Sequence, residues 1–319
     1  MRTIAMLTSG GDAPGMNACI RAVARAGFSR DLRVKGIRFG LDGLMRGDIY
    51  EMNMSSVGDI IQKGGTILGS ARSEEFRTKE GQNKALTILR RYGIEGLIIM
   101  GGDGSFKAAE VMDRLGIRTV AIPCTIDNDM GYTDYTIGFH TACETVIESI
   151  GRLRDTSDSH ARANIVVVMG RNCGDIALFS GLGGGAESII VPEHEVSVAD
   201  ITDRILRGKL RGKRHHIVVL SEGARDPYTL RDEIEKITGV ETRITILGHV
   251  QRGGSPCLTD RLLACTMGYE AVKVLLDGSS SLAIGAHGQE IFTMPIAEAI
   301  RVSHHFHEDL FQIAYELSS

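Results

Sequence analysis

The chain has 319 residues, enough for one large or two medium domains, and its 43% hydrophobic and 24% charged residues are those of an ordinary globular protein. That composition sets aside disordered, collagen-like and membrane-spanning classes. A net charge of −4 excludes a chain-wide basic surface for nucleic acid and leaves local basic pockets open.

In chain order, residues 3–7 form a short apolar strand that runs into Ser9-Gly10-Gly11-Asp12, a pattern unlike a secretion signal. A helical period covers 16–28, and another covers 83–92. Apolar strands follow at 96–100 and 119–122, with a helix at 106–115 between them and Pro123 as the expected stop of the second strand. A helix over 141–153, strands at 165–169 and 216–220, and a helix over 258–276 complete the pattern. Alternation of this kind implies right-handed crossovers, with helices on both faces of parallel sheets.

Strand ends followed by glycine recur in both halves: Leu7-Thr8-Ser9-Gly10-Gly11 and Met100-Gly101-Gly102-Asp103-Gly104-Ser105, then Met169-Gly170-Arg171 and Leu220-Ser221-Glu222-Gly223. The expectation is an α/β fold of two similar three-layer α/β/α lobes, with largely parallel sheets and a cleft between them at the strand C-terminal ends. The six cysteines, at 19, 124, 143, 173, 257 and 265, have no Cys-x-x-Cys pair and no zinc spacing, so a reduced, cytoplasmic chain is expected.

Consecutive glycines between a strand and a helix let backbone N–H groups approach an anion, and the helix start adds positive partial charge. Gly10-Gly11 meets that description, although a plain tight turn would account for it equally. In Gly101-Gly102-Asp103-Gly104-Ser105 a carboxylate stands at such a loop, where it suits Mg²⁺ or, alternatively, a helix cap. Thr125-Ile126-Asp127-Asn128-Asp129 offers two carboxylates on one loop, one to take a hydroxyl proton and one to support a metal, unless it is only an Asx-rich turn. Arg72, Arg77, Arg162, Arg171, Arg243 and Arg252 lie near these turns or strand ends, where arginine forks suit phosphate. Arg21 and Arg25 share a helix face, and Arg211, Lys213, Arg214 and His215 form a basic run, so a second anion site is expected unless the run is a solvated loop.

Together these segments resemble the bacterial ATP-dependent 6-phosphofructokinases from Ile4 to about Leu276, most specifically in 8–17, 101–105, 125–129, 169–171 and 248–256. The resemblance implies that Gly11, Arg72, Ser73, Gly102, Asp103, Gly104 and Ser105 bind ATP, with Asp103 and Asp129 serving Mg²⁺. It implies that Asp127 deprotonates the sugar 1-hydroxyl, while Thr125, Arg171 and the Gly11 backbone stabilise the transferring group. Fructose 6-phosphate would be held by Thr125, Ile126, Asp127, Met169, Gly170, Arg171, Glu222, His249, Val250, Gln251 and Arg252, with Arg162 and Arg243 supplied by a neighbouring subunit of a homotetramer. Arg21, Arg25, Asp59, Arg154, Gly185, Glu187, Arg211, Lys213, Arg214 and His215 match the family's effector pocket for ADP or GDP and phosphoenolpyruvate. The same resemblance makes residues 1–138 with 251–300 the ATP-binding lobe and 139–250 with 301–319 the fructose 6-phosphate-binding lobe.

Four positions depart from the pattern or qualify it. Met54 stands where regulated members often carry arginine, and Leu41 where an aromatic often stacks on adenine. Cys124 stands where ATP-using members usually have glycine and pyrophosphate-using relatives lysine. Gly104, usually aspartate in the pyrophosphate-using relatives, leaves room for the α-phosphate of ATP. The alternatives are a pyrophosphate-dependent enzyme and a non-catalytic nucleotide sensor on the same fold. His304, His305 and His307 are expected to be exposed helix residues rather than a metal site.

Overall fold

The computed structural model describes residues 1–318. The chain forms two compact α/β units: Met1–Ile126, Met130–Thr141 and Arg252–His304 make the first, and Asp127–Asp129, Ala142–Gln251 and the residues from His305 onward make the second.

The first unit opens with β1 (Thr3–Thr8), α1 (Met16–Phe28), β2 (Arg33–Ile37), α2 (Gly40–Arg46), β3 (Ile49–Glu51), α3 (Lys79–Arg91), β4 (Gly96–Gly101), α4 (Asp103–Arg114) and β5 (Arg118–Pro123). Helix α5 (Phe139–His160) carries the chain into the second unit, which contains β6 (Ala163–Val168), α6 (Asp175–Gly183), β7 (Ser188–Ile190), α7 (Val198–Leu210), β8 (His216–Ser221), α8 (Pro227–Thr238) and β9 (Thr242–Ile246). The chain then returns to the first unit for α9 (Leu258–Leu276), β10 (Leu282–His287), β11 (Glu290–Pro295) and α10 (Ile296–Ala299), and α11 (Glu308–Leu317) belongs to the second.

Strands β1, β4, β6 and β8 are buried along their whole length, because their unbroken apolar runs are covered on both faces, as parallel strands require. The first unit's sheet has seven strands in the order β11-β10-β5-β4-β1-β2-β3, antiparallel only where the edge strands β3 and β11 join. The second unit's sheet, β7-β8-β6-β9, is smaller and wholly parallel. Leu7, Leu89, Leu97, Phe106 and Met112 anchor one core; Ile165, Ile205, Val218, Leu220 and Leu230 anchor the other.

Pro123 does not stop β5 before its own position but ends the strand as its last residue, and its carbonyl accepts from Ile137 N at 3.0 Å. The hairpin β10–β11, the β2–β3 pair and helices α6 to α8 were not among the expected elements. Two of these helices carry ordinary caps: the Ser197 hydroxyl accepts from Asp200 N at 3.1 Å, and the Asp226 carboxylate accepts from Thr229 N at 2.7 Å. His304, His305 and His307 precede α11 on an irregular segment and are not helical. The His307 ring packs edge-on to Phe179 at 5.3 Å, which is a structural use for it. All six cysteines are thiols. Among the described residues, no helix is long and apolar enough to cross a membrane.

Candidate active site

Parallel pairing aligns the ends of three strands in the first unit, Thr8 beside Met100 and Gly101 beside Pro123, so the turns that follow them emerge side by side. Ser105 Oγ donates to Ser9 O at 3.2 Å and Ser9 N to Met100 O at 2.9 Å, fastening the two glycine turns together. Ser70 Oγ adds a bond to Gly10 O at 2.6 Å. Gly10 has φ +86°, a conformation that disfavours side chains, so its backbone rather than a side chain faces this region. At Gly11 a Cβ would overlap the Arg252 guanidinium, whose Nη1 lies 3.9 Å from Asp12. Arg252, expected among the sugar-phosphate residues, therefore lies against the Gly11 turn.

Gly102 precedes α4 with no side-chain cap, leaving the helix N-terminal N–H groups without one. Asp103 occupies the first turn of that helix, exposed, with Lys107 Nζ at 2.6 Å. A Cβ at Gly104 would meet nothing within 4 Å. The protein's own packing thus does not require glycine there, although glycine in a helix costs about 1 kcal/mol against alanine. Thr125 reaches the same group, since a Cβ on Gly102 would stand 3.8 Å from its Cβ, and its carbonyl is held by Thr136 Oγ1 at 2.7 Å. Arg72 is exposed, whereas Ser73 is buried and its hydroxyl accepts from Phe76 N at 3.3 Å, the work of a local cap.

Two of the departures take on a plain packing role. Leu41 is 7% exposed and packed in the core, so it offers no face to a base; the exposed aromatic of that segment is Phe39. Cys124 is 1% exposed, and burial together with the Cys19 thiol pushes its own thiol well up, which makes it an inert core group.

Asp127, Asn128 and Asp129 belong to the second unit, while Thr125 and Ile126 belong to the first. Asn128 adopts a left-handed turn (φ +54°), and its Nδ2 donates to the fully buried carboxylate of Asp175 at 2.9 Å. Asp127 is half-buried and Asp129 exposed. At the end of β6, Met169 N donates to Gln251 Oε1 at 3.2 Å, and Gln251 Nε2 to Gly248 O at 2.8 Å, which ties the turn carrying His249 and Val250 to the β6 end. Gly170 has φ +125° and accepts from Ser221 Oγ, and Glu222 N donates to Val168 O at 2.9 Å. Met169, Gly170, Arg171, Glu222 and Gln251 are thereby gathered at one set of strand ends, with Arg171 and Glu222 exposed.

Arg162 and Arg243 both pair with Glu241, Arg162 Nε at 2.6 Å. The Arg162 hydrogen bond and the two arginine charges hold the Glu241 carboxyl below its usual range. A phosphate must compete with Glu241 to take these arginines. Of the second basic set, Arg21, Arg25 and Asp59 lie in the first unit, and Arg154, Gly185, Glu187, Arg211, Lys213, Arg214 and His215 in the second. Arg154 Nη2 donates to Gly184 O at 2.6 Å and Gly185 O at 2.8 Å, Lys213 pairs with Glu187, and His215 Nδ1 stands 3.4 Å from Asp158. Sequence reasoning passed over two further polar groups: the buried Asp260, behind the α5 start, and His216, in the floor of the basic pocket. The helix start at Leu258 was a signal for the first; nothing in the order of residues marks the second.

Glycine turns at the ends of parallel strands, set under helix N-termini and flanked by carboxylates and arginines, are the features of an α/β protein suited to hold phosphate groups. The family model described as phosphofructokinase matches residues 3–275. The chain is 59% identical over 318 residues to an ATP-dependent 6-phosphofructokinase of Finegoldia magna and 56% identical to one of Clostridium botulinum, with full coverage of both partners in each case. Its fold is similar to that of phosphofructokinase from Saccharomyces cerevisiae (34% identity, TM-score 0.89), where it covers 100% of itself and spans 48% of the yeast chain. A pyrophosphate-dependent phosphofructokinase from Marinobacter aquaeolei shares the fold at 20% identity and TM-score 0.85, over 99% of this chain and 92% of that one. The chain belongs to the phosphofructokinase family.

Proposed function

We propose that the protein transfers the γ-phosphoryl group of ATP to the 1-hydroxyl of fructose 6-phosphate, giving ADP and fructose 1,6-bisphosphate, the committed step of glycolysis. The observation that carries this reading is the pair of glycine turns fastened by Ser105 to Ser9, with open space at Gly104. The high identity to ATP-dependent relatives over the whole chain supports the choice of donor.

In this reading Gly11, Arg72 and the residues from Gly102 to Ser105 hold the nucleotide. Asp127 takes the proton of the sugar 1-hydroxyl as the new O–P bond forms and the bond to the ADP oxygen breaks. Thr125, Arg171 and the Gly11 N–H stabilise charge on the group in transit. Asp103 and Asp129 are exposed oxygen donors of the kind Mg²⁺ prefers, and they would hold it. When bound, the ion neutralises phosphate charge. Met169, Glu222, His249 and Arg252 grip the sugar phosphate, with Arg162 and Arg243 acting for a neighbouring subunit of a homotetramer. ADP or GDP and phosphoenolpyruvate regulate through the basic set, and Met54, 53% exposed, weakens that response by lacking a charge.

Purified protein should release ADP only when ATP, fructose 6-phosphate and a divalent cation are all present. Release that ignores the sugar phosphate would contradict the proposal. Gly104→Ala should leave thermal stability equal or slightly higher while intruding where phosphate passes. Overpacking of that kind costs about 1–3 kcal/mol, or about 5- to 150-fold in the KM for ATP. An unchanged KM would mean that this space is not used by the nucleotide.

A further inference from the structure

The second unit holds a cavity of about 250 Å³ whose lining includes Gly185, Glu187, Arg204, Arg211, Lys213 and His216. His216, the first residue of β8, is 3% exposed, and neither of its ring nitrogens has a hydrogen-bond partner. A buried polar ring left in this way is uncommon in a folded protein and calls for a use. The fold makes room for it: Gly208 of α7 lies against the imidazole, and a Cβ there would overlap ring atom Cε1.

The charged groups that line the cavity with the ring are mostly cationic. Glu187 is committed to Lys213 and to the backbone N–H of Ile217. Arg204 of α7 donates to Glu187 O at 3.0 Å and lies 4.0 Å over the Tyr315 ring of α11. Arg211 is the residue after α7, His215 sits beside Asp158, and α11 with the residue after it contributes Ala314, Leu317 and Ser318, none of which titrates. Arg204, Arg211 and Lys213 thus outnumber Glu187, and an anion is the ligand that this lining favours.

Resting on the effector reading of Gly185, Glu187, Arg211 and Lys213, we infer that His216 is a further ligand-contacting residue of this pocket, donating a ring N–H to the anionic group of a phosphorylated effector, so that occupancy is coupled to proton uptake by the ring. Burial holds the ring down to about 4, with Glu187 opposing the shift and Lys213 and His215 adding to it. At neutral pH the ring is therefore neutral, with one donor and one acceptor. An anion in contact favours the charged form and raises the pKa of the bound state. Affinity then rises as pH falls through the bound-state pKa and levels off once the ring of the empty pocket also protonates, near 4.

The test is calorimetric titration of the full-length protein with ADP, and separately with phosphoenolpyruvate, the sugar and donor sites being filled with fructose 6-phosphate and a non-hydrolysable ATP analogue. Titrations between about pH 6 and about pH 8, in buffers of different ionisation enthalpy, count the protons taken up. The wild type should take up more protons than His216→Gln, and the variant should bind about 10- to 100-fold more weakly. The arm with the larger difference identifies the ligand. As a check independent of any variant, the His216 ring followed by NMR in the wild type should show a raised pKa when the probe is bound. Effector binding with equal affinity and proton uptake in both proteins, or with no rise of the ring pKa, overturns the role of His216 and leaves the effector reading standing. Failure of both ligands to bind the wild type overturns the effector reading and this inference with it.

Discussion

Asp127→Ser is expected to lower kcat by roughly 10²- to 10⁴-fold, the usual loss for a general base, while the KM for fructose 6-phosphate changes little. A base acts only as the hydroxyl proton leaves, so its removal falls on the transition state and not on ground-state binding. The surrounding loop should survive the change, because its conformation is held by a neighbour: Asn128, in its left-handed turn, is bonded at 2.9 Å to the buried Asp175 at the start of α6. Steady-state kinetics with ATP and sugar phosphate varied in turn measures the effect. A variant with near-normal kcat and a raised KM would assign Asp127 to binding instead.

Asp260→Ala should be the most damaging change to stability that is remote from the proposed chemistry. This carboxylate is fully buried in α9 and accepts from Gly138 N at 3.0 Å, Thr141 N at 2.8 Å and Thr141 Oγ1 at 2.5 Å. Those donors belong to the first turn of α5 and the residue before it, so one side chain caps that helix from another. Alanine leaves them buried without an acceptor, at about 1–3 kcal/mol for each unsatisfied group, and a total loss of about 3–5 kcal/mol is expected. Denaturant unfolding should show a lower midpoint with an unchanged slope. Asp260→Asn, which retains one acceptor oxygen, should recover part of the loss. A midpoint within error of the wild type would mean that the cap is dispensable.

Asp260 also shows where sequence reading stops. The helix at 16–28 was legible to the residue because its apolar period is strong, and the one at 258–276 because a long run free of glycine turns and prolines lies between Pro256 and Gly278. Helix α4 begins at Asp103, three residues before the expected 106, since Gly104 and Ser105 read as loop yet suit a first helical turn. Helix α5 runs to His160 instead of 153, through a polar stretch that looked like an end. Ser157 in that stretch is buried and accepts from Asn164 Nδ2 at 2.6 Å, a tertiary partner that no local pattern announces. Strand β2 was missed because Arg33, Lys35 and Gly36 break its apolar alternation, although its paired neighbour β1 buries it.

The site followed the same division. Local chemistry was readable: glycines after strands, the acids at 103, 127 and 129, and the basic run at 211–215. What depends on packing was not. Arg252 lying on Gly11, Leu41 turned into the core, Ser73 acting as a cap and His216 flooring the basic pocket all come from contacts made across the fold. An arginine after a glycine turn looks the same in sequence whichever partner it meets.

Donor choice with product identity tests the account most directly. The same preparation should be given fructose 6-phosphate, Mg²⁺ and either ATP or pyrophosphate, and the sugar product read by phosphorus NMR. Fructose 1,6-bisphosphate and one equivalent of ADP are expected with ATP, and no turnover with pyrophosphate. Turnover with pyrophosphate alone, or phosphate appearing at another sugar hydroxyl, would contradict the account.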